Sequence, residues 1–383
     1  MKVEPVTRGP RHHFFGYYDK CPWDSTGRYM LALEVGFMDR PPSPSDRVTI
    51  GIIDLVEDNR WIPIAETRAW NWQQGCMLQW LPSAPHRRII YNDRRDRKFI
   101  SIVMDVWSRE KYELPLPVYA LSPDGRYALT LNFSRLQWAR PGYGYPGVPD
   151  PWRADPHPKH DGIYLMDLES GNYELIISLN EIVKFKPKLS MKKTVHWFNH
   201  LLFNKSGNRF VFLHRWRRGK QEWYTRMLTA DRDGTDLYCV ADDDMVSHFD
   251  WRDSKHILAW AHQYDVGDRF FLFRDLSRER EIVGEGVLTR NGHCSYSPDG
   301  RWILTDTYPD SENMRSLFLY DTKKEKLITL GKFFSPPELR GEIRCDLHPR
   351  WSRDGKKVCI DSAHEGSRQV YVVDVSKIVT TGI

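Results

Sequence analysis

A short turn phrase recurs along this chain and constrains its fold more than any other feature. A β-like run ending in an aromatic residue or Leu leads into a turn of the Ser-Pro-Asp-Gly kind, and a second β-like run follows. The clearest copies begin at Leu121 and Tyr296, with close relatives at Trp23 and Trp351. Looser copies begin at Trp80, Phe203 and Trp251. Seven units divide 383 residues into about 55 each, near the ~40–50 of a propeller blade plus some loop.

Each unit supplies further strand-like runs after its turn. In the sixth unit these are residues 302–306, 316–321 and 326–330, so the unit is predicted to form four antiparallel strands. The last unit lacks an evident fourth strand, and residues 2–7 have the pattern to supply it. We therefore predict an all-β, single-domain chain over residues 1–383. It is a seven-bladed β-propeller with four antiparallel strands per blade, its ring closed by the N-terminal strand and a long loop at about 134–160 overhanging the top face.

Composition and charge exclude several classes of protein. No apolar run approaches the ~18 residues that a membrane span requires, so we expect no membrane partner. The net charge of +5 comes from 56 basic and 51 acidic residues and gives no case for nucleic acid. The six cysteines stand singly, as in reduced proteins, and the first 16 residues lack a secretory signal. The prediction is a cytoplasmic protein, or a periplasmic one if a leader has been removed.

Histidines fall at equivalent positions in four consecutive blades. The inner strand of a blade starts at the top face beside the central channel, so counting back four residues from each turn compares equivalent sites. In the last four blades that position holds His200, His248, His293 and His348. Asp346 lies two residues before His348, so the two side chains point the same way in a strand. Converging imidazoles and carboxylates predict a metal site at the channel mouth.

Other residues are predicted to line the same face. Arg215 and Arg217 alternate along a second strand, share a face and suit the recognition of a carboxylate. Lys20 occupies the histidine position of the first blade and is a candidate for substrate binding. Purely structural interpretations, a satisfied histidine, a solvated arginine run or a loop packed on itself, remain open. The further candidates for substrate binding are Tyr18, His214, His262, Trp138 and Tyr145.

Three segments carry a resemblance to the oligogalacturonate lyase family of seven-bladed propellers, and more loosely to ulvan lyases. They are residues 247–251, 292–300 and 345–351. The resemblance implies that His248 is the proton-abstracting base. It also implies that His293, Asp346 and His348 bind a divalent ion, manganese in the first place, with zinc or calcium as alternatives. The chain departs from the family where Asp346 replaces a histidine and where none of residues 342–344 is the family's extra Gln ligand.

These residues suit metal-assisted β-elimination. A lyase acting on uronate-containing oligosaccharides needs a base near neutral pH, here His248, and positive charge on the carboxylate, here the ion with Arg215 and Arg217. His200 is a second catalytic candidate whose role stays open between base, ligand and wall. The partner is an acidic oligosaccharide, and the chain is a monomer or a homodimer. Two alternatives remain: a glycoside hydrolase on a uronate-linked sugar, using carboxyls such as Asp346 and Asp19, and a non-catalytic TolB-like binding propeller.

Overall fold

The computed structural model describes residues 2–219 and 222–381. Within these ranges the chain forms 28 strands in seven four-stranded sheets, and strands that neighbour each other in a sheet run antiparallel. These sheets are the blades of a β-propeller, so the predicted fold class is confirmed. No helix in the described ranges is long and apolar enough to cross a membrane.

The strands follow the chain blade by blade, after β1 (Val3–Pro5), which belongs to the last blade. Blades 1 and 2 contain β2 (His12–Phe14), β3 (Tyr29–Val35), β4 (Val48–Asp54) and β5 (Arg60–Thr67), then β6 (Gln79–Trp80), β7 (Arg88–Arg95), β8 (Lys98–Asp105) and β9 (Lys111–Leu114). Blades 3 and 4 contain β10 (Ala120–Leu121), β11 (Tyr127–Thr130), β12 (Gly162–Asp167) and β13 (Tyr173–Ser178), then β14 (His196–Phe203), β15 (Arg209–Arg217), β16 (Trp223–Asp231) and β17 (Tyr238–Ala241).

The last three blades repeat the pattern. Blades 5 and 6 contain β18 (Val246–Trp251), β19 (His256–Gln263), β20 (Gly267–Arg274) and β21 (Arg280–Ile282), then β22 (Ser295–Tyr296), β23 (Trp302–Asp306), β24 (Met314–Asp321) and β25 (Lys326–Phe334). Blade 7 contains β26 (Arg350–Trp351), β27 (Lys357–Ser362) and β28 (Gln369–Asp374) with β1. The helices are α1 (Phe133–Ala139), α2 (Leu179–Lys184) and α3 (Ser376–Thr381), and short 3-10 turns cover Leu189–Met191 and Gly341–Ile343.

The N-terminal strand closes the ring. β1 pairs antiparallel with β28, with Val3 opposite Val373 and Pro5 opposite Tyr371. Proline is tolerated there because β1 is the outer edge of its sheet and needs no second row of hydrogen bonds. The first and last parts of the chain therefore share blade 7, as predicted.

Side chains build the recurring turns. In blade 3 the Ser122 hydroxyl donates to Asp124 and accepts from the backbone N–H of Tyr127, and Asp124 accepts from the N–H of Arg126. Gly125 closes the turn at φ +71°, a left-handed conformation that favours glycine. The repeated phrase is therefore a structural signal for the hairpin between the first two strands of a blade.

The inner strand of blade 1 is interrupted. It pairs with β3 through β2 and again at Trp23, which bridges Met30, and residues 15–22 between them leave the sheet. We call residues 15–22 the channel segment. Within it the Tyr18 hydroxyl donates to the carbonyl of Phe249 in blade 5 and accepts from the N–H of the same residue, both at 2.9 Å. The segment therefore reaches from blade 1 to blade 5.

The predicted loop of blade 3 contains a helix. Its composition predicted irregular structure, but residues 133–139 form α1. Asn132 caps α1 by accepting from the N–H of Arg135, and Phe133 and Leu136 are buried. The helix forms because these apolar residues share one face and because the proline and glycine positions begin only after Arg140. Residues 131–161 thus form a packed insertion between β11 and β12.

Candidate functional site

Three of the four predicted histidines converge at the channel. The ring centroids of His248 and His293 are 4.0 Å apart, and those of His293 and His348 are 4.4 Å apart. The three side chains come from blades 5, 6 and 7 and are buried. One ligand atom from each of His293, Asp346 and His348 lies within 4.8 Å of the others. The structure thus brings together the predicted base and the three predicted metal ligands.

The imidazoles present unused nitrogens. Asp306 accepts from the backbone N–H of His293 at 2.7 Å and lies 2.9 Å from its Nδ1. Because a carboxylate only accepts, Nδ1 is the nitrogen that carries a proton, and in a neutral ring Nε2 is then the nitrogen that can bind a metal ion. Nε2 of His293 and Nε2 of His348 are both buried without a hydrogen-bond partner among the described residues. Two orphaned, buried imidazole nitrogens, one oriented by a carboxylate, fit a divalent metal ion.

Asp346 is ion-paired with two arginines. Its Oδ2 accepts from Nε of Arg344 at 2.7 Å, and its Oδ1 lies 2.8 Å from Nη2 of Arg315. Burial raises the pKa of Asp346, but Arg344 and Arg315 outweigh it, so the pKa lies well below the usual value. The carboxylate is therefore an ionised donor beside the two imidazoles. Two imidazole donors disfavour calcium, which prefers oxygen ligands, and they suit zinc.

His248 is held as a neutral imidazole. Its Nδ1 lies 3.1 Å from Oδ1 of Asn291 and 3.2 Å from Oγ of Ser247. With the amide oxygen of Asn291 as acceptor, Nδ1 carries the proton and Nε2 is the basic nitrogen. Burial, with His293 and His200 nearby, lowers the pKa of His248 well below its usual value. A neutral ring with one free basic nitrogen is what proton abstraction requires.

His200 joins the site indirectly. Its ring stacks on Phe249 at 4.0 Å, its Nε2 lies 3.2 Å from Asp19, and its Nδ1 has no hydrogen-bond partner in the described chain. The Tyr17 ring lies between the histidines, 5.0 Å from His200 and 5.2 Å from His348. His200 therefore meets the other histidines through the channel segment, and its catalytic role stays a prediction.

Lys20 faces the other mouth of the channel, whereas the Tyr18 ring also packs against the histidines, 5.2 Å from His293 and 5.7 Å from His248. Nζ of Lys20 bonds both carboxylate oxygens of Asp19 at 3.0 Å. Lys20 and Tyr18 line a cavity of about 320 Å³, together with Ser352 and Arg353 of a recurring turn. The prediction for Lys20 assumed a regular inner strand, and the channel segment departs from one. The structure therefore places Lys20 at the face of the turns instead of the histidine face.

Arginines flank the histidines. The guanidinium carbon of Arg215 lies 5.6 Å from the ring centroid of Trp223, and that of Arg140 lies 4.1 Å from it. Burial, reinforced by Arg140, lowers the pKa of Arg215 to about 10. Nη2 of Arg217 donates to the carbonyl of Ala139 at 2.8 Å, at the end of α1. Arg215 thus lies beside Arg140, an arginine that the sequence did not single out.

His214 and His262 make other contacts. Nε of Arg226 donates to Nδ1 of His214 at 3.0 Å, so the Nε2–H of His214 donates to Nδ1 of His196, also at 3.0 Å. His214 is fully buried and both its nitrogens are used inside blade 4. Nδ1 of His262 lies 2.6 Å from Asp268 in an exposed hairpin. The structure does not bring either histidine to the converging set.

The insertion uses its predicted aromatic residues in packing. Tyr145 is fully buried, stacks on Phe133 at 4.4 Å and accepts a hydrogen bond from Asn92 at 3.0 Å. No face of Tyr145 is left for a sugar, so its predicted substrate contact is wrong. Nε1 of Trp138 donates to Asp150 at 2.9 Å, and its ring is half-buried. Trp138 keeps a partly exposed surface, and its role stays a prediction.

Tyr308, which the sequence did not single out, lies beside the histidines, and Tyr143 of the long loop lies beside Arg344. The Tyr308 ring lies 6.2 Å from His248 and 6.0 Å from His293. The hydroxyl of Tyr143 accepts from Nη2 of Arg344 at 2.8 Å. Tyr308 follows the end of β23, the second strand of blade 6. Second strands run antiparallel to inner strands and so end at the face where the histidines lie, and a search of those ends would have identified Tyr308. Tyr143 lies in the insertion, where no repeat gives a register.

Solved structures resemble this fold over nearly its whole length. An oligogalacturonate lyase from Vibrio parahaemolyticus is 13% identical with a TM-score of 0.69, covering 97% of this chain and 93% of that one. An oligogalacturonate lyase in complex with manganese is 15% identical with a TM-score of 0.70, covering 97% and 92%. A tricorn protease is 11% identical with a TM-score of 0.55, and 35% of its chain is covered. No protein-family model and no curated sequence matches the chain. The predicted likeness to the propeller of oligogalacturonate lyases is confirmed at the level of the fold.

Proposed function

We propose that this protein is a metal-assisted lyase that cleaves uronate-containing oligosaccharides by β-elimination. One observation carries the proposal: the neutral imidazole of His248 lies beside a buried set of metal-ligating side chains. Its ring centroid is 4.0 Å from that of His293, which belongs to this set and whose Nε2 has no hydrogen-bond partner among the described residues. A propeller like that of oligogalacturonate lyases, one of them in complex with manganese, supports it. We infer manganese as the ion because one of the similar lyases is in complex with manganese. Zinc is the alternative, because two of the three donors are imidazoles.

The residues divide the reaction between them. Nε2 of His248 takes the proton from C5 of the uronate, while Asn291 holds the proton on Nδ1. The C5–H electron pair forms the C4–C5 double bond, the C4–O bond breaks, and the departing oxygen takes up a proton from water. His293, Asp346 and His348 would hold a divalent ion, which would supply positive charge to stabilise the carboxylate as its negative charge grows. Arg215 and Arg217 are proposed to orient the substrate carboxylates.

The hydrolase alternative is disfavoured by the state of the carboxyl groups. An inverting or retaining glycosidase needs a protonated carboxyl as general acid. Asp346 is paired with two arginines, and its pKa is held well below the usual value. Burial opposes ionisation of Asp19, but Lys20 and His200 outweigh it and lower its pKa too. Both candidate carboxyls are thus ionised at neutral pH, so neither suits that role.

The test is a time course of unsaturated-uronate absorbance on a panel of acidic oligosaccharides. Wild-type protein is run as purified, with a chelator, and after addition of manganese or zinc. We expect a rising signal that the chelator abolishes and the metal restores. His248→Ala should abolish turnover and leave bound metal unchanged, whereas His256→Ala, on the far side of blade 5, should behave as wild type. Turnover retained by His248→Ala, or a panel without product, would contradict the proposal.

A further inference from the structure

We propose that the lower mouth of the channel binds a small polyhydroxy carboxylate at a site separate from the histidines. The lower mouth is the end of the channel at the face of the turns, where Lys20 lies, and its cavity measures about 320 Å³. This volume falls within the ~300–1,000 Å³ of small-molecule sites. The inference goes beyond the proposed function and does not depend on it.

The blades that carry the converging histidines also build this cavity. The residue two positions after each of these histidines lines it, at the lower end of the inner strand, and these residues are Asp250, Ser295 and Arg350. The Tyr18 ring packs against the histidines on one side and lines the cavity as well. The channel therefore has a second level of polar groups below the histidines.

Two of these three polar groups have unused binding capacity. Oγ of Ser295 is buried and has no hydrogen-bond partner among the described residues. Asp250 accepts from the N–H of Tyr296 at 2.8 Å but forms no ion pair within residues 2–219 and 222–381, and burial raises its pKa. Arg350, by contrast, lies 2.7 Å from Asp361. A carboxylate and a hydroxyl left in this state are the partners that the hydroxyl groups of a ligand would complete.

The rim of the cavity is positively charged. Lys205 lies in the turn of blade 4 and Arg353 in the turn of blade 7, and both are exposed and without an ion pair in the described chain. Nε of Arg353 donates to the carbonyl of Trp23 at 2.9 Å, which holds the side chain at the mouth. Two unpaired cations against the single unpaired carboxylate of Asp250 favour an anionic ligand. A carboxylate at the rim and a hydroxylated chain inside match this arrangement.

Cys21 gives a direct measurement of occupancy, because it is half-buried and lines the cavity. N-ethylmaleimide labelling is followed by peptide mass spectrometry in the presence of D-gluconate, acetate or sorbitol. Cys239 is half-buried too but lies on β17, away from this cavity, and is the internal control. We expect gluconate to slow the labelling of Cys21 and to leave that of Cys239 unchanged.

The two other compounds test the chemical class of the ligand. Acetate lacks the hydroxyl groups and sorbitol lacks the carboxylate, so neither should protect Cys21 at the same concentration. No protection by gluconate would reject the site. Equal protection by acetate or by sorbitol would reject the assigned ligand class, because one of the two groups would then contribute nothing.

Calorimetry with gluconate on substituted proteins assigns the binding groups. Ser295→Ala and Lys205→Gln should each raise the Kd about 5- to 10-fold, because each removes one hydrogen bond or charge contact to the ligand. The matched controls are Ser277→Ala and Lys356→Gln, exposed residues that do not line the cavity, and they should bind as wild type. Ser295→Ala removes a hydroxyl without a described partner, so its melting temperature should not fall. Wild-type affinity in both Ser295→Ala and Lys205→Gln would contradict the proposal.

The outcome is separable from that of the lyase assay. Gluconate has no glycosidic bond and reports binding alone. Binding that depends on Ser295 and Lys205, in a protein that cleaves no uronide, would support the lower-mouth site and reject the lyase. Uronide cleavage without protection of Cys21 by gluconate would reject the lower-mouth site and leave the lyase standing.

Discussion

Removing one oxygen atom from the channel segment should destabilise the whole propeller. The hydroxyl of Tyr18 makes two hydrogen bonds, to the N–H and the carbonyl of Phe249, both at 2.9 Å. Phe249 is fully buried and lies on β18, the innermost strand of its sheet, so no further strand offers partners to these groups. In Tyr18→Phe both groups lose their partner while the ring keeps its packing.

The magnitude follows from the two orphaned groups. Each unsatisfied buried polar group costs about 1–3 kcal/mol, so we expect the two together to lower the free energy of unfolding of Tyr18→Phe by about 2–6 kcal/mol. The vacated space of one oxygen is too small for a water molecule to restore the bonds. Tyr308→Phe is the matched control, because the Tyr308 hydroxyl makes no hydrogen bond to the described residues and its side chain is partly exposed. It should change the stability by less than about 0.5 kcal/mol.

Urea unfolding of the three proteins, followed by tryptophan fluorescence, measures the difference. The sequence predicted Tyr18 as a substrate-binding residue, and the same variant tests that prediction. A structural role lowers the unfolding midpoint whether or not substrate is present. Wild-type stability together with a raised KM would refute the structural reasoning and restore the predicted contact with substrate.

Three further predictions concern charge. Asp346→Asn should weaken manganese binding at least tenfold by calorimetry, because an anionic donor becomes neutral, and wild-type affinity would remove Asp346 from the ligand set. Arg350→Met leaves the buried Asp361 carboxylate unpaired and should cost about 3–5 kcal/mol in urea unfolding, part of which Arg350→Met with Asp361→Asn should recover. Burial lowers the pKa of His196 to about 4, so between pH 6.5 and 4 the proton binds the unfolded chain better. Stability should fall by about 3 kcal/mol over that range, and His196→Gln should remove this part of the slope, as urea unfolding at pH 7 and pH 4.5 would measure.

The repeat made much of this fold predictable. The recurring turn follows the inner strand of each blade at a fixed distance, so it also fixes the register of that strand. His248, His293 and His348 could therefore be aligned by counting residues alone. Counting residues back from the turn failed in blade 1, where the chain leaves the sheet. Lys20 holds the same position by count, but the channel segment turns it to the other mouth.

The insertion of blade 3 escaped prediction for a related reason. It has no counterpart in the other blades, so neither period nor register said where its side chains point. Tyr145 is packed in the core, and Arg140, which no pattern marked, lies against Trp223. The half of the site that comes from repeated strands could therefore be read from the sequence, and the half that comes from the insertion could not.

The channel segment has a consequence for how the chain folds. It lies near the N-terminus, yet its hydrogen bonds run to Phe249 in blade 5 and to Arg350 and Asp361 in blade 7. During synthesis these partners emerge long after blade 1. The hydrogen bonds that hold the channel segment therefore cannot form until most of the chain has been made. Contacts that span so much chain carry a large loop-closure entropy and form late. We therefore expect the channel segment to take its final position late in folding, and the histidines to reach their final arrangement only when blade 7 has been made.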